Sequence, residues 1–277
     1  MDSGLRTMDN SLHRERRAPN RGLYPEVGSA RPLIIIPTYN ERDNISEILP
    51  QILHYPQFQV LVVDDNSSDG TADSVRAAML DFPDRIHLIE REGKLGLGTA
   101  YIAGFHWALA REYTHIFEMD ADFSHHPAAL PRMLHASRQA DLVIGSRYVP
   151  GGRTVNWSPV RKVISRGGSL YARTILGLPI RDLTGGFKCF RRHVLESIDL
   201  DSIESTGYAF QIELTYRAAL AGATIVEIPI TFSERLHGTS KMSSTIFFEA
   251  MYRVLQLRLE AGSGWATGAD TLGVPVD

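Results

Sequence analysis

The chain has 277 residues, 43% of them hydrophobic, with 29 Lys and Arg against 32 Asp and Glu for a formal net charge of −3. That balance is globular and offers no electrostatic footprint for a nucleic acid. The lone cysteine, Cys189, excludes an internal disulfide framework and a cysteine-based zinc site, and the apolar runs fall short of the roughly 18 residues that span a bilayer.

Residues 1–30 read as a disordered basic tail around Arg14, Arg16 and Arg17, without the apolar run of a secretory signal. Such a tail is either a solvated extension or weakly drawn to an anionic membrane surface. Leu33 to Ile36 is wholly apolar and reads as a strand buried on both faces, followed by the loop Thr38-Tyr39-Asn40-Glu41 and a helix capped by Asn44. Gln59 to Val63 is a second strand, ending at Asp64-Asp65, with a helix from about Thr71 to Phe82. Ile86 to Ile89 is a third, followed by the glycine-rich loop 91–98 and a helix from Thr99 to about Arg111. His115 to Met119 is a fourth, a helix follows from Pro127 to Gln139, and Asp141 to Ile144 is a fifth, closing at Arg147. This alternation predicts an α/β fold with a parallel sheet. Beyond Tyr148 the rhythm changes. Helices are expected at 159–176, 210–221 and 245–260, with one strand at 224–232. The expected organisation is a single catalytic domain at 31–260 and a flexible tail at 261–277.

The clusters that carry chemistry all stand at strand carboxyl ends, which share one edge in a parallel sheet. Asp120 and Asp122, one residue apart after the fourth strand, are hard oxygen donors suited to Mg²⁺ or Mn²⁺ and, through the metal, to substrate phosphates. The same pair reads equally, taken alone, as a helix cap. Pro37, Tyr39 and Glu41 follow the first strand, Asp65 the second and Arg147 the fifth. Lys94 sits in the glycine-rich loop, which has neither the Walker nor the dinucleotide spacing and reads either as a phosphate contact or as a tight turn. His125 and His126 read as a turn before Pro127. Asp182 opens a loop expected to face the site; it is a base if the acceptor is a hydroxyl and a positioning residue otherwise.

The segments Ile-Pro-Thr-Tyr-Asn-Glu-Arg (36–42), Val-Asp-Asp-Asn-Ser-Ser-Asp-Gly-Thr (63–71), Lys-Leu-Gly-Leu-Gly-Thr-Ala-Tyr (94–101) and Met-Asp-Ala-Asp-Phe-Ser-His-His-Pro (119–127) resemble family 2 inverting glycosyltransferases. More closely they resemble the dolichol-phosphate or polyprenol-phosphate mannose synthase group. Gly-Ser-Arg-Tyr (145–148), Trp157, Arg-Lys-Val-Ile-Ser-Arg-Gly (161–167), Asp-Leu-Thr-Gly-Gly-Phe (182–187), Gly-Tyr-Ala-Phe-Gln (207–211) and Glu-Ile-Pro-Ile-Thr-Phe (227–232) continue the match, from about residue 32 to 258. The resemblance implies a GT-A fold, a GDP-mannose donor, a dolichyl or polyprenyl phosphate acceptor, and Mg²⁺ or Mn²⁺. It implies that Pro37, Tyr39, Glu41, Val63 and Asp65 hold the nucleotide. Asp120, Ala121, Asp122 and Ser124 would hold metal and diphosphate. Arg147, Arg235 and Lys241 would grip phosphates, and Arg161 and Ser165 would meet the acceptor. Many relatives carry Gln where this chain has Ser124, whose shorter side chain departs from the pattern. Asp122, Arg147 and Asp182 are the residues expected to act in catalysis.

A phosphate monoester has a second pKa near ~6 and is already an oxyanion at neutral pH, so such an acceptor needs cations and alignment more than a base. The cation-rich segment 161–166 fits that need. In the last helix, Phe247, Phe248, Met251, Leu255 and Leu259 recur at helical spacing, a face that packs on the domain or lies at a membrane surface. The resemblance implies a span-free protein at the cytosolic face of a membrane, with small membrane subunits as partners. The competing readings are a related transferase using UDP-glucose or a hydroxyl acceptor, and a non-catalytic nucleotide-sugar-binding subunit.

Overall fold

The computed structural model describes residues 30–234 and 244–264. The expected basic tail, Arg235, Lys241 and most of the C-terminal tail lie outside the described residues.

The elements run β1 (Pro32–Thr38), α1 (Arg42–Leu53), β2 (Gln59–Asp64), α2 (Thr71–Asp81), β3 (Ile86–Glu90), α3 (Leu97–Leu109), β4 (His115–Glu118), α4 (Leu130–Ala136) and β5 (Leu142–Ser146). They continue with β6 (Arg153–Thr154), α5 (Pro159–Leu176), β7 (Lys188–Arg191), α6 (Arg192–Glu196), α7 (Gly207–Leu220), β8 (Ile225–Pro229), β9 (Thr231–Phe232) and α8 (Ser244–Gly264). Seven strands form one sheet in the order β3-β2-β1-β4-β7-β5-β8, and β6 pairs with β9 alongside it. Every pairing in the large sheet is parallel except those of β7, which runs antiparallel to both β4 and β5.

Side chains of a strand alternate between faces, and here each face meets its own helices. Leu33 and Ile35 of β1 and Leu61 and Val63 of β2 pack into a core with α3, α5, α7 and α8. Ile34, Ile36, Val60 and Val62 pack oppositely against α1, α2 and α4. All four β1 positions 33–36 are fully buried, each contributing about 1.5–3 kcal/mol relative to exposure. The helix α3 lies so close to the sheet that a Cβ on Gly104 would stand 2.7 Å from Ile35 Cγ2.

Three sequence expectations are corrected. Asn44 does not cap α1: Glu41 holds the N-cap position, and Asn44 Nδ2 donates to Glu41 Oε2 at 2.6 Å. The strand expected at 224–232 is broken at Ile230 into β8 and β9, which belong to different sheets. In α8 the buried face holds Val254 and Leu257, whereas Leu255 and Leu259 of the expected apolar face are exposed. Phe247 and Phe248 lie outside the residues whose side chains are described. The helix also continues through Gly264, past the expected end.

Candidate active site

A cavity of about 500 Å³ opens at the carboxyl edge of the sheet. Its first wall comes from the loops after β1 and β2. The Asp64 carboxylate accepts hydrogen bonds from Thr38 Oγ1 (2.7 Å), Ser67 N (2.9 Å) and Ser67 Oγ (2.6 Å), binding the two loops together. Its neighbour Asp65 accepts from Arg91 Nε (2.6 Å) and from the amides of Leu95 (3.1 Å) and Gly96 (3.2 Å). Arg91 in turn donates to Thr99 Oγ1 and the Gly96 carbonyl, so the glycine-rich loop is folded around an Asp–Arg pair. Gly96 has φ +100°, a conformation that glycine adopts without penalty. This fold carries Lys94 over the Tyr39 ring, with Nζ 4.1 Å from its centroid. Pro37, Tyr39, Glu41, Asp65 and Lys94 all line the cavity.

The second wall follows β4. Phe123 adopts φ +60°, a left-handed conformation that a bulky residue reaches only under constraint. The reversal brings Ser124 N within 3.0 Å of Asp122 Oδ1. His125 is 1% exposed, and its ring stacks on Phe187 at 4.8 Å. Its Nδ1 accepts a hydrogen bond from the Asp120 amide at 3.1 Å, which leaves the proton of a neutral imidazole on Nε2. This histidine holds the backbone of the Asp-x-Asp turn, beyond the simple turn role read from sequence.

Asp120, Ala121, Asp122 and Ser124 line the cavity together. The Ser124 hydroxyl is buried and has no hydrogen-bond partner. Two carboxylates beside an orphaned hydroxyl fit a hard divalent cation. Among the described residues no group of three or more His, Cys, Asp or Glu gathers to hold a metal unaided, so a cation there would take further oxygens from substrate and water.

The third wall follows β5. Arg147 is 5% exposed and Asp182 fully buried. Arg147 donates to Asp182 through its backbone N (2.8 Å), Nε (2.8 Å) and Nη2 (2.5 Å), and Nη2 also reaches Thr184 Oγ1 at 2.8 Å. Asp182 is itself fixed, its amide donating to Glu227 Oε1 at 2.9 Å. Burial works against the Arg147 charge, but the attraction of Asp182 and its hydrogen bonds outweigh it and hold the guanidinium pKa above its usual value. Around it stand Trp157, Tyr148 and Phe232, with Arg147 Cζ 5.5, 5.1 and 5.2 Å from their ring centroids. Arg161 Cζ lies 4.1 Å from the Trp157 ring centroid, and Tyr148 Oη donates to Ser165 Oγ at 2.6 Å. The indole Nε1 of Trp157 is buried with no hydrogen-bond partner. Arg147, Trp157, Arg161 and Ser165 line the cavity, and Ala250, Met251 and Val254 of α8 close it.

The structure thus brings most of the expected residues to one cavity, with two departures. Val63 is fully buried in the core between sheet and helices, since its parity in β2 turns its side chain off the edge. Asp182 does not itself line the cavity; its carboxylate is committed to Arg147, while Thr184 and Gly186 of the loop it opens do line it, the arrangement of a positioning residue. Arg235 and Lys241 lie outside the described residues. Sequence reasoning assigned no role to Arg91, Trp157, Thr184 or Gln211. Gln211 lines the cavity and accepts from Lys188 Nζ, which also donates to the Gln211 carbonyl at 2.8 Å. Trp157, Thr184 and Gln211 fall in segments that carry the family resemblance, and Trp157 also stands between a Pro/Gly-rich loop and a cationic helix.

The family model described as glycosyl transferase family 2 matches residues 33–199. The polyprenol monophosphomannose synthase of Mycolicibacterium smegmatis is 51% identical over 228 residues, covering 82% of this chain and 86% of that relative. The undecaprenyl-phosphate mannosyltransferase of Micrococcus luteus is 52% identical over 232 residues, covering 83% and 95%. Among solved structures, glucosyl-3-phosphoglycerate synthase from Mycobacterium tuberculosis, in complex with Mn²⁺, UDP-glucose and phosphoglyceric acid, superposes with TM-score 0.61. That match has 18% identity and covers 83% of this chain and 80% of that one. A mannosyltransferase from Pyrobaculum calidifontis in complex with GDP-mannose and Mn²⁺ gives TM-score 0.53 at 17% identity, covering 93% and 79%. At these identities the two structures establish a shared GT-A-like fold.

Proposed function

The chain belongs to glycosyl transferase family 2, and from that membership we propose that it transfers mannose from GDP-mannose to a polyprenyl phosphate with inversion at the anomeric carbon. The observation that carries this reading is the pairing, within one cavity, of the Asp120/Asp122 carboxylates on one wall and the buried cation Arg147 with Arg161 on another. A diphosphate donor and a phosphate acceptor both call for that combination. The identity of about half to the two bacterial lipid-phosphate mannosyltransferases supports the choice of sugar and acceptor.

In this reading the guanine nucleoside lies along Pro37, Tyr39, Glu41 and Asp65, with Lys94 reaching the diphosphate. Asp120 and Asp122, with the Ser124 hydroxyl, would hold a divalent cation, Mg²⁺ or Mn²⁺, that offsets charge on the departing diphosphate. A dianionic acceptor phosphate supplies its own nucleophilic oxygen. Arg147, rigid against Asp182, and Arg161 hold it so that the oxygen attacks the anomeric carbon as the bond to the GDP oxygen breaks. Asp182 acts as a positioning residue through Arg147 and takes no proton. Trp157 offers its free indole N–H to substrate beside these two arginines. No described helix is long and apolar enough to cross a membrane.

The test is incubation with radiolabelled GDP-mannose, Mg²⁺ or Mn²⁺, and polyprenyl phosphate, followed by organic extraction. Label in the lipid phase as an acid-labile β-linked mannosyl phosphate is the expected result. Transfer from UDP-glucose in place of GDP-mannose, transfer to a hydroxyl acceptor only, or binding without turnover would each refute it.

A further inference from the structure

Gln211, near the start of α7, lines the cavity and is 3% exposed. Its side chain is held from behind by Lys188, fully buried at the start of β7. Lys188 Nζ donates to the Gln211 carbonyl at 2.8 Å and also to the side-chain Oε1. An ammonium can only donate, so Oε1 faces it and Nε2 is turned the other way. That nitrogen is buried and has no hydrogen-bond partner. A Cβ built on Gly186, itself part of the cavity lining, would stand 3.5 Å from Gln211 Nε2, so the amide meets the cavity there. Behind it lies Glu118, fully buried, with Lys188 Nζ 3.8 Å from its Oε2. Burial disfavours the Glu118 charge, and Lys188, then Gln211, favour it. The two protons of the Gln211 amide diverge, so Glu118 can meet only one of them.

Buried donors in folded proteins are nearly always satisfied, and one that lines a cavity is satisfied by what enters it. The place of this amide narrows the occupant. In the sheet, Lys188 pairs with Glu118 on one side and Ile144 on the other. Those two strands lead into Asp120 and Asp122 and into Arg147. In the proposed reaction the sugar in transit bridges the diphosphate on the first of these walls and the acceptor oxygen on the second, and so lies over Gln211. Charge points the same way. The cations that suit phosphates are Arg147 and Arg161, whereas Gln211 offers a neutral donor in front of a carboxylate, which suits a hydroxyl and repels an anion. We propose that Gln211 Nε2 donates a hydrogen bond to a hydroxyl of the transferred hexose, so that Gln211 selects the donor by its sugar. The inference deepens the proposed function and rests on it for the position of the hexose.

The test is calorimetric titration of the full chain, with Mg²⁺ or Mn²⁺ present, by GDP-mannose and by GDP. The variant Gln211→Met keeps the side chain's length and leaves Lys188 its bond to the main-chain carbonyl of residue 211. GDP should bind wild type and variant alike, whereas GDP-mannose should bind the variant about three- to tenfold more weakly, the worth of one hydrogen bond. In a panel of donors singly deoxygenated at each mannose hydroxyl, one analogue should lose that factor on the wild type and nothing further on the variant. Gly186→Ala places its methyl no nearer than 3.5 Å to any atom and covers the amide; it should become insensitive to the same missing hydroxyl, and it decides the matter if Gln211→Met does not melt cooperatively. Equal weakening of GDP and GDP-mannose would make the role structural and overturn the proposal. A raised KM for polyprenyl phosphate with donor binding unchanged would place the amide on the acceptor and overturn it too. So would a wild type indifferent to every missing hydroxyl. A wild type that prefers UDP-glucose to GDP-mannose would refute the functional reading alone, and the same comparison of UDP-glucose with UDP would then decide the role of Gln211.

Discussion

Replacing Asp182 by Asn separates an anchor from a base. The Asp182 carboxylate is fully buried and takes three hydrogen bonds from Arg147, itself 5% exposed. Breaking a buried pair by removing one charge costs about 3–5 kcal/mol, because the other charge is left uncompensated. Asn keeps the shape and one acceptor oxygen, and Thr184 Oγ1 still receives Arg147 Nη2, so about 2–4 kcal/mol is expected here. For a domain of this size each kcal/mol moves Tm by about 2–4 °C, giving a fall of about 4–16 °C. The loosened guanidinium should lower kcat/KM about a hundredfold, as small misplacements in an aligned site do. The acidic limb of the pH–rate profile should keep its position. In a double-mutant cycle with Arg147→Gln, the two losses should fall short of additive by more than about 1 kcal/mol. Scanning fluorimetry and steady-state kinetics across pH supply these readouts. An Asn variant with unchanged Tm that is inactive at every pH, its acidic limb gone, would show that Asp182 is a base and sink the anchor assignment.

Other perturbations have equally definite outcomes. Asp120→Asn and Asp122→Asn should each lose more than about a hundredfold in kcat, and chelation should abolish transfer until Mg²⁺ or Mn²⁺ is returned; full activity in chelator would remove the metal from the reading. Trp157→Phe keeps the ring beside both arginines but deletes the unpartnered N–H; a rise of about five- to tenfold in KM with little change in Tm is expected, and an unchanged KM would show that the indole proton meets no substrate. Burial, then the nearby Arg191 charge, pushes His115 down from its ordinary value to about 4. The unfolded chain therefore takes up a proton near pH ~6.5 that the folded protein refuses until about 4. Stability is full above pH ~6.5 and falls by up to about 3 kcal/mol on acidification through that window; urea titrations of wild type and His115→Gln should show the slope flattened in the variant. Gly104→Ala would ordinarily gain helix propensity, yet its Cβ would meet Ile35 at 2.7 Å. A net loss of about 1–3 kcal/mol is expected, and a stabilised variant would disprove the tight helix–sheet contact.

Much of this architecture was legible because burial and pattern agree. Leu33 to Ile36 can hardly be anything but a strand covered on both faces, and the carboxylates that follow β2 and β4 mark the edge where ligands bind. Convergence of Tyr39, Asp120 and Arg147 follows from parallel strands alone. What escaped was structure built from charge inside the protein. The strand β7, Lys188-Cys189-Phe190-Arg191, begins and ends on cations and shows no strand pattern, yet all four residues are buried. Partners distant in sequence satisfy them: Gln211 and Glu118 for Lys188, the Ser137 and Ala140 carbonyls for Arg191. Burial pushes Glu118 up to about 7 and Lys188 down to about 8, which measures how far this pair departs from what a local reading assumes. The pairing of Asp182 with Arg147 escaped likewise, because the two lie 35 positions apart and nothing local ties one to the other. Val63 lies off the cavity for a smaller reason, the face to which strand parity turns its side chain.

The reversed strand has a further consequence for what the site can accept. Hydrogen-bonded strands sit about 4.8 Å apart, and β7 lies between β4 and β5, so the strands that deliver the Asp120 and Asp122 carboxylates and Arg147 stand about 10 Å apart at the backbone. That gap is a ruler made of main chain. No side-chain exchange lengthens or shortens it, so the reach from leaving diphosphate to incoming nucleophile is fixed by topology, while donor and acceptor preferences are free to drift in the loops. Because β7 runs the other way, the segment entering it, Asp182 to Phe187, arrives at the same edge that its neighbours leave. The strand that sets the distance therefore also brings in the clamp for Arg147, and span and clamp should be inherited or lost together.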